Sequence, residues 1–324
     1  MRRFKQLAAL WGWLFTLFVA MSLVACQEAS LSPTPNPNPS ATALGPLSRL
    51  GTPSPTPTAT PTLTPTPTPT PLPPVRFAVI GDFGQDGSGE AAVAELVKDW
   101  NPDFIVTTGD NNYPNGSKLT FEKNVMKYYG DYVREERFFP VLGNHDWGYH
   151  TPNTLPFPEF FPYLPGNKRY YDLVRGPVHF FMLDSDPKEP DGITPDSKQG
   201  RWLQERLKAS TAPWQVVVFH HAPYSSGWHG DTEWMQWPFA EWGVDLVLNG
   251  HDHTYERVHR RGIVYIVNGL GGKSRYEFEH DTEGSQVRYN EKFGALFIVA
   301  TQEEIRGQFV NVDGKVIDEF VIRK

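Results

Sequence analysis

Five short apolar segments of this sequence each end in a polar motif. The last is the most informative, because the run 244–248 is followed by Gly-His-Asp-His at 250–253, with two imidazoles at i and i+2 on one side of an extended chain. The other four runs and their motifs are 77–80 with Gly-Asp-Phe-Gly at 81–84, 104–106 with Gly-Asp-Asn-Asn-Tyr at 109–113, 138–142 with Gly-Asn-His-Asp at 143–146, and 216–219 with His-His at 220–221. Because the carboxyl ends of neighbouring strands converge on one edge of a sheet, we expect these motifs to form one active site.

The residue types in these motifs are those of a two-metal centre. Carboxylates can bridge two cations and imidazoles can complete their coordination, an arrangement used by hydrolases. Taken singly, each motif is weak, since Gly-Asp at a strand end is more often a turn and a His-His pair more often lies on the surface. All ten histidines of the chain lie after residue 144, and most fall in or beside these motifs. The combination therefore predicts a metal-dependent hydrolase.

The five motifs, in this order, resemble the purple acid phosphatase branch of the calcineurin-like metallophosphoesterases, and the resemblance covers residues 75–324. Most of the wider superfamily has Asp-x-His in the first motif, where this chain has Gly84. In the purple branch a tyrosine three residues after the second aspartate replaces that histidine, and Tyr113 stands at this spacing from Asp110. The resemblance implies an α/β fold, a sandwich of two mixed β-sheets flanked by helices, with a dinuclear metal site at the carboxyl ends of strands.

The resemblance also implies the ligands and their roles. One metal, Fe³⁺ in that family, would be held by Asp82, Asp110, Tyr113 and His253. The second, Fe²⁺, Zn²⁺ or Mn²⁺, would be held by Asp110, Asn144, His220 and His251. His220 is preferred to His221 because a match to the family's motif without gaps then aligns His229 with a histidine that lies just outside the metal ligands in that family. His145 and His229 would contact the phosphoryl group or protonate the leaving oxygen.

Further residues beside the motifs have two interpretations each. Asp146 and Asp252 are expected to cap loops or orient imidazoles rather than bind metal. Six other residues could line a substrate cleft or pack in the interior: Trp147, Tyr149, His150, Trp228, Trp234 and Trp237.

The implied activity is hydrolysis of phosphate monoesters by hydroxide generated at the two-metal centre, in the manner of an acid phosphatase. A phosphodiesterase on the same site is the alternative, because the choice depends on cleft width and on the loops 147–168 and 225–238. A third, weaker hypothesis is a surface binding lipoprotein on an inactive enzyme fold. This hypothesis requires that some metal-ligating residues be replaced, and in this sequence all of the predicted ligands are present.

The order of the segments after residue 74 predicts the secondary structure. Strand, helix and strand at 77–106 indicate a parallel βαβ unit, with Asn101 and Pro102 ending the helix. Further helices are expected at 118–129, 198–207 and 233–242, and a β-hairpin at 170–183. The four β runs at 263–267, 295–301, 305–310 and 316–322 contain little helix between them, which predicts a second, mainly antiparallel sheet packed on the first.

The first 74 residues are of a different kind. A basic start, an uncharged apolar run at 7–25 and the sequence Leu-Val-Ala-Cys at 23–26 resemble a bacterial lipoprotein signal with Cys26 as the lipidated residue. A retained transmembrane anchor is the alternative. Residues 27–74 contain 15 of the chain's 30 prolines, which predicts a disordered Thr/Pro-rich linker. We therefore expect domains at 1–26, 27–74 and 75–324, with the catalytic domain exported and held at the cell surface. Cys26 is the single cysteine, so an intrachain disulfide is excluded.

The charge of the chain restricts its partners. Residues 75–324 hold 26 Lys and Arg against 36 Asp and Glu, a net charge of −10. Such a domain is not expected to bind nucleic acid or anionic lipid over a broad surface. The expected partners are a phosphate-ester substrate, two metal ions and, through Cys26, a membrane.

Replacing Cys26 tests the lipid anchor. In Cys26→Ala we expect release of the protein from the membrane or a block in maturation, because acyl chains on this residue would be the anchor once the signal is cleaved. Fractionation of cells followed by immunoblotting measures this, with Ser30→Ala as the control. A Cys26→Ala protein that stays in the membrane fraction at full length would show that residues 7–25 are a retained transmembrane helix.

Overall fold

The computed structural model describes residues 72–324, so the signal and linker predictions lie almost entirely outside the described residues. Six helical and thirteen strand segments follow in the order β1 (Val75–Ile80), α1 (Ser88–Trp100), β2 (Phe104–Thr107), α2 (Lys118–Phe121), α3 (Lys127–Arg134), β3 (Phe138–Pro140), α4 (Asn144–Trp147), α5 (Phe157–Phe160), β4 (Tyr171–Arg175), β5 (Val178–Met182), α6 (Lys198–Ala209), β6 (Trp214–His221), β7 (Leu246–Gly250), β8 (Tyr255–Arg260), β9 (Ile263–Asn268), β10 (Ser285–Tyr289), β11 (Gly294–Ala300), β12 (Glu304–Asn311) and β13 (Val316–Arg323). Among these residues no helix combines the length and apolar character needed to cross a membrane.

The strands form two mixed sheets. The first has the order β13-β12-β11-β1-β2-β3 and the second the order β10-β8-β9-β7-β6-β5-β4. In the first sheet β1, β2 and β3 are parallel, and β11 joins β1 antiparallel. In the second, β5, β6, β7 and β9 are parallel, with antiparallel strands at both edges. This confirms the predicted sandwich of two mixed sheets.

The assignment of strands to sheets was wrong in one respect. The strand at 263–268 pairs parallel with β7 in the second sheet, while β11, β12 and β13 extend the first sheet from β1. The five motif-bearing strands are therefore divided between the two sheets. Partner choice depends on side chains that are distant in sequence, so the alternation within each run could not decide it.

Apolar side chains between the sheets hold the layers together. Phe180 of β5 meets Phe77 and Phe104 of the first sheet edge-on, at ring-centroid distances of 5.1 and 5.7 Å. Its neighbour Phe181 belongs to a separate buried cluster with Leu203 and other residues, on the face covered by α6. Alternate residues of a buried parallel strand thus pack on opposite faces, as a pleated chain requires.

The helices agree with the sequence in part. Helix α1 ends at Asn101, which adopts the left-handed conformation as the C-cap. The helix expected at 118–129 is a continuous helical stretch from 118 to 134, with a π-helical segment at Glu122–Met126. The helix expected at 233–242 is wrong, because only a 3₁₀ turn forms at Glu233–Met235. The hairpin at 170–183 is confirmed as β4 and β5.

Candidate active site

Both sheets contribute residues to one cluster. Asp82 and Asp110 follow β1 and β2 in the first sheet, and His220 lies near the end of β6 in the second. One ligand atom from each of these three side chains lies within 4.8 Å of the others, and all three residues are buried. The sheets pack with the carboxyl ends of these strands on the same side, so the motifs converge across the sandwich.

The backbone at the cluster is strained. Asp82, Asp110 and His251 have φ angles of 56°, 54° and 71°, in the left-handed region that non-glycine residues seldom occupy. Such strain costs about 1–3 kcal/mol per residue and persists where the surrounding structure enforces it. Here each turn aims a potential ligand at the cluster, so the strain is consistent with a functional constraint.

The two oxygens of Asp82 differ in their contacts. Oδ2 accepts a hydrogen bond from the backbone N–H of His251 at 3.0 Å. Oδ1 is buried without a hydrogen-bond partner among the described residues, although His253 Nε2 lies 3.3 Å away. Burial raises the pKa of Asp82 well above its usual range; the His220 charge opposes this and the Asp110 carboxylate adds to it. A buried carboxylate oxygen left without a donor suits a cation.

Asp110 lies between two groups of potential ligands. Its Oδ2 accepts from the Tyr113 hydroxyl at 2.8 Å, and its Oδ1 accepts from the His145 backbone N–H at 2.8 Å and lies 3.5 Å from His220 Nε2. Burial would raise the pKa of Asp110, but the His220 and His145 charges and these hydrogen bonds lower it overall. Its two oxygens thus face different partners, as a bridging carboxylate requires.

The imidazole of His220 is oriented from outside the cluster. Its Nδ1 lies 2.8 Å from the Thr108 carbonyl oxygen, which can only accept, so Nδ1 carries the proton. In the neutral ring the Nε2 lone pair then faces Asn144 Oδ1 at 3.0 Å. Two acceptors at this distance need a proton or a cation between them. The arrangement fits a metal ligand whose other ring nitrogen is held by the backbone.

The histidines of the last motif are also placed as ligands. His253 Nδ1 lies 2.6 Å from Ser274 Oγ, and its Nε2 lies 3.3 Å from the Tyr113 hydroxyl. His251 Nδ1 lies 3.2 Å from His220 Nε2. Burial lowers the pKa of His253 to about 4 and that of His251 well below its usual range. Both rings are therefore neutral near pH 7, the form that binds metals.

These contacts divide into the two predicted ligand sets. Asp82, Tyr113 and His253 contact one another or Asp110 on one side, while Asn144, His220 and His251 are linked on the other. The seven side chains fit a pair of cations by their chemistry, because they combine carboxylate, phenol, amide and imidazole donors around a buried, unpaired oxygen. Ligation itself stays a prediction.

A small cavity adjoins the cluster. Its volume is about 180 Å³, and its lining includes Asp110, Asn144, His145, His229 and His251. His145 Nδ1 donates to the Pro114 carbonyl at 2.7 Å, its Nε2 lies 4.0 Å from Asp110 Oδ2, and the side chain is 40% exposed. The exposed His229 ring stacks on His251 at a centroid distance of 3.9 Å. Both predicted catalytic histidines therefore border a space open to a small substrate group.

Comparison with known proteins decides the family. The model of the calcineurin-like phosphoesterase family matches residues 75–255, more than half of the chain. This chain belongs to the calcineurin-like phosphoesterase family. Similar curated proteins include purple acid phosphatase 17 of Arabidopsis thaliana, 29% identical over 77% of this chain and 85% of the relative, and tartrate-resistant acid phosphatase type 5 of Mus musculus, 25% identical over 61% and 73%.

Solved structures agree on the fold. A purple acid phosphatase from yellow lupin (Lupinus luteus) seeds matches with a TM-score of 0.63 and 18% identity, over 79% of this chain and 55% of that one. GAP50, the anchor in the inner membrane complex of Plasmodium, matches with a TM-score of 0.63 and 20% identity, over 77% and 89%. The resemblance, the fold class and the enzyme class, a metal-dependent phosphoric ester hydrolase, are confirmed.

The departure from the wider family at the first motif has a steric basis here. A Cβ atom added at Gly84 would overlap the Asn111 carbonyl. The Gly84 carbonyl also accepts from the Tyr113 N–H at 2.7 Å, which draws the second motif against the first. A histidine at position 84 is therefore incompatible with this backbone, and Tyr113 occupies the neighbouring space.

His221 lies beside the cluster with a different set of contacts. Its Nδ1 lies 2.9 Å from Ser185 Oγ, and its ring packs against that of His251 at a centroid distance of 4.4 Å. Burial lowers the pKa of His221 to about 3, so this imidazole is neutral. His220, which faces Asn144 and Asp110, is the ligand that this geometry favours.

The two adjacent carboxylates fasten loops. Asp146 accepts hydrogen bonds from the backbone N–H groups of Gly143 and Asn111. Asp252 accepts from Ser225 Oγ at 2.6 Å and from the His229 N–H at 2.8 Å. The second contact ties the His229 loop to the last metal motif.

The residues considered for a substrate cleft separate into two groups. Trp147 and Trp237 are buried, so they pack in the interior. Tyr149, Trp228 and Trp234 are exposed, at 93%, 53% and 43%. Trp228 also lines the cavity at the cluster, and Tyr149 lines a neighbouring one with His145 and Asn144. His150 is partly exposed and lies two residues beyond Gly148 in the same loop.

Several residues that contact the site lie outside the five sequence motifs. Thr108 orients the His220 imidazole and Ser274 that of His253, while Tyr276 stacks on His253 at a ring-centroid distance of 4.1 Å with nearly parallel rings. Ser274 and Tyr276 belong to the segment after β9, which also begins with glycines at a strand end. This strand end is the signal that could have found them, since it repeats the pattern of the other five.

Separate replacement of the adjacent histidines tests the second ligand set. In His220→Ala we expect loss of more than about nine-tenths of hydrolytic activity and of one metal equivalent, because the residue holds a cation but lies at a strand end. In His221→Ala we expect both to be largely retained. Metal analysis, circular dichroism and phosphatase assays on both variants measure this. Loss confined to His221→Ala would reverse the assignment.

Proposed function

We propose that this protein is an acid phosphatase-like enzyme that hydrolyses phosphate monoesters at a dinuclear metal centre. The observation that carries the proposal is the buried cluster of Asp82, Asp110 and His220, in which Asp110 also contacts Tyr113, next to a cavity lined by His145 and His229. Relatives named purple acid phosphatase and tartrate-resistant acid phosphatase support it.

The side chains have distinct tasks in this proposal. Cations at the two ligand sets would supply Lewis acidity toward phosphate oxygens and toward a water molecule. Asp82, Tyr113 and His253 would hold the first cation, and Asn144, His220 and His251 the second, with Asp110 shared by both. His145 keeps Nε2 toward the cavity because Nδ1 is fixed by Pro114. When both ring nitrogens are protonated, Nε2 can donate a hydrogen bond to a phosphoryl oxygen or a proton to the leaving oxygen, with His229 across the cavity.

We infer Fe³⁺ at the first position and Fe²⁺, Zn²⁺ or Mn²⁺ at the second. Tyr113 supports the first assignment: burial raises its pKa well above the usual range, and Asp110 and Asp82 add to the rise. A strongly Lewis-acidic cation is therefore needed for the phenol to bind as phenolate near neutral pH. The second set, with its amide and imidazoles, suits a divalent cation.

A phosphodiesterase activity is the second candidate, and one observation favours it. The cavity at the cluster meets a larger one of about 430 Å³ lined by Pro114 and Tyr149, and the two share Asn144 and His145. A diester carries two organic groups, and the second could occupy this neighbouring space.

We also propose that the enzyme acts at the cell surface as a lipoprotein. The signal-like start, Cys26 and the Thr/Pro-rich segment support this location. A tether of this kind would present the phosphatase domain to esters outside the cell.

Comparing two substrates tests the proposed activity. We expect metal-loaded protein to hydrolyse p-nitrophenyl phosphate with a kcat/KM at least about tenfold above that for bis(p-nitrophenyl) phosphate, because the cavity at the ligand cluster is small. Steady-state kinetics at several pH values, with apoprotein and Asn144→Ala as controls, give the ratio. A reversed ratio would establish the phosphodiesterase, and no turnover of either ester would reject both.

The colour of the iron-loaded protein tests the first metal. We expect a visible phenolate-to-Fe³⁺ charge-transfer band that disappears in Tyr113→Phe, while Asp82, Asp110 and His253 retain iron more weakly. Absorption spectra and iron analysis before and after the substitution measure this, with Tyr276→Phe as the control phenol. An iron-replete protein without a band, or a band that survives in Tyr113→Phe, would contradict the assignment.

A further inference from the structure

A third cavity, on the other side of Tyr113, is lined by positively charged side chains. It has a volume of about 240 Å³ and is lined by two lysines, Lys123 and Lys273, together with neutral residues that include Tyr113 and Pro114. Its described lining contains no carboxylate. In a domain with a net charge of −10, a cavity with this lining is a distinct local feature.

The cavity is connected to the reaction site through Tyr113. Lys273 Nζ lies 5.1 Å from the centre of the Tyr113 ring, and the Lys273 backbone N–H donates to the Asp82 carbonyl at 3.1 Å. Pro114, which also lines the cavity, is the residue whose carbonyl holds His145. Pro114 also lines the larger cavity of about 430 Å³, which shares Asn144 and His145 with the cavity at the ligand cluster. A substrate bound at the ligand cluster can therefore extend past Pro114 toward the two lysines.

The positive charge of the cavity is not cancelled by its surroundings. Within residues 72–324, Lys273 Nζ makes neither a salt bridge nor a hydrogen bond. Lys123 lies 3.5 Å from Asp86, but that carboxylate also accepts from Lys127 at 2.6 Å and from Tyr128 at 2.8 Å. The single negative charge of Asp86 is therefore shared between Lys123 and Lys127. The group thus retains positive charge that can attract a substrate anion.

We propose that this cavity is a subsite for a second phosphate group of the substrate, bound by Lys123 and Lys273. The substrate class is then organic bisphosphates, in which one phosphate is hydrolysed at the metal centre while the other contacts the lysines. The inference rests on the proposed phosphatase function. Lysine ammonium groups bind phosphate as point charges with adaptable geometry, so they suit alcohols of differing shape.

Kinetics with matched substrate pairs test the subsite. The pairs are fructose 1,6-bisphosphate with fructose 6-phosphate, and 1,3-propanediol bisphosphate with propyl phosphate. Metal-loaded full-length protein is compared with Lys273→Gln, Lys123→Gln and the control Lys118→Gln, an exposed lysine paired with Glu159 that removes the same charge elsewhere. Circular dichroism and metal analysis accompany each variant.

In the wild type we expect a higher kcat/KM for the bisphosphate of at least one pair. In Lys273→Gln and Lys123→Gln we expect this preference to fall by about three- to tenfold, the effect of one charged contact at a partly exposed site, and to weaken in high salt. Lys118→Gln should leave the preference unchanged.

Other outcomes separate the two proposals. Hydrolysis of the monophosphates with no bisphosphate preference in the wild type would overturn the subsite and leave the phosphatase standing. An equal loss for mono- and bisphosphates in Lys273→Gln would also overturn it, since the lysine would then only balance charge at the ligand cluster. No hydrolysis of any of the four esters, or of p-nitrophenyl phosphate, would overturn the phosphatase function and the subsite together.

Discussion

The site depends on two buried carboxylates held close together. Asp82 and Asp110 are almost completely inaccessible to solvent, and the Asp110 carboxylate adds to the burial that raises the pKa of Asp82. Removing like charges from water is costly unless opposite charge is supplied. The described residues supply imidazoles and hydrogen-bond donors, yet they leave Asp82 Oδ1 without a partner. Cations would satisfy this oxygen, so metal binding and the stability of these loops are expected to be coupled.

The packing of the sheets sets the distances within the ligand cluster. The first sheet carries Asp82 and Asp110, and the second carries His220 and the last motif. The aromatic contacts of Phe180 with Phe77 and Phe104 lie between the two sheets. A change in this layer would shift one set of ligands relative to the other, and catalytic geometry tolerates little displacement. These interior aromatic residues can therefore affect catalysis although they do not contact the ligand cluster.

Much of the site was visible in the sequence because each element of it is local. A short apolar run followed by polar residues predicts a strand and its carboxyl end, and five such ends together predict one cluster of polar side chains. The division of strands between sheets was not visible, because β11 could satisfy the same alternation beside β1 or elsewhere. Strands β8 and β10 also escaped notice, since charged residues such as Glu256 and Arg288 interrupt their pattern. Glu256 is buried, and its carboxylate accepts hydrogen bonds from Ser226 Oγ and Ser285 Oγ. Because Ser226 and Ser285 are distant in sequence, the local pattern does not predict this burial.

The segment after β9 contains residues that contact the site but carry no sequence motif. Three of its residues meet the first ligand set from outside: Ser274 orients His253, Tyr276 covers that ring, and Lys273 approaches Tyr113. Tyr113 in turn packs against His145 at a ring-centroid distance of 4.4 Å. Because one phenol contacts both the lysine and a predicted catalytic histidine, a substitution in this segment can alter ligand geometry and substrate charge preference at once. Separating those effects requires substrates that differ only in their second anionic group, since loss of metal affects every ester equally.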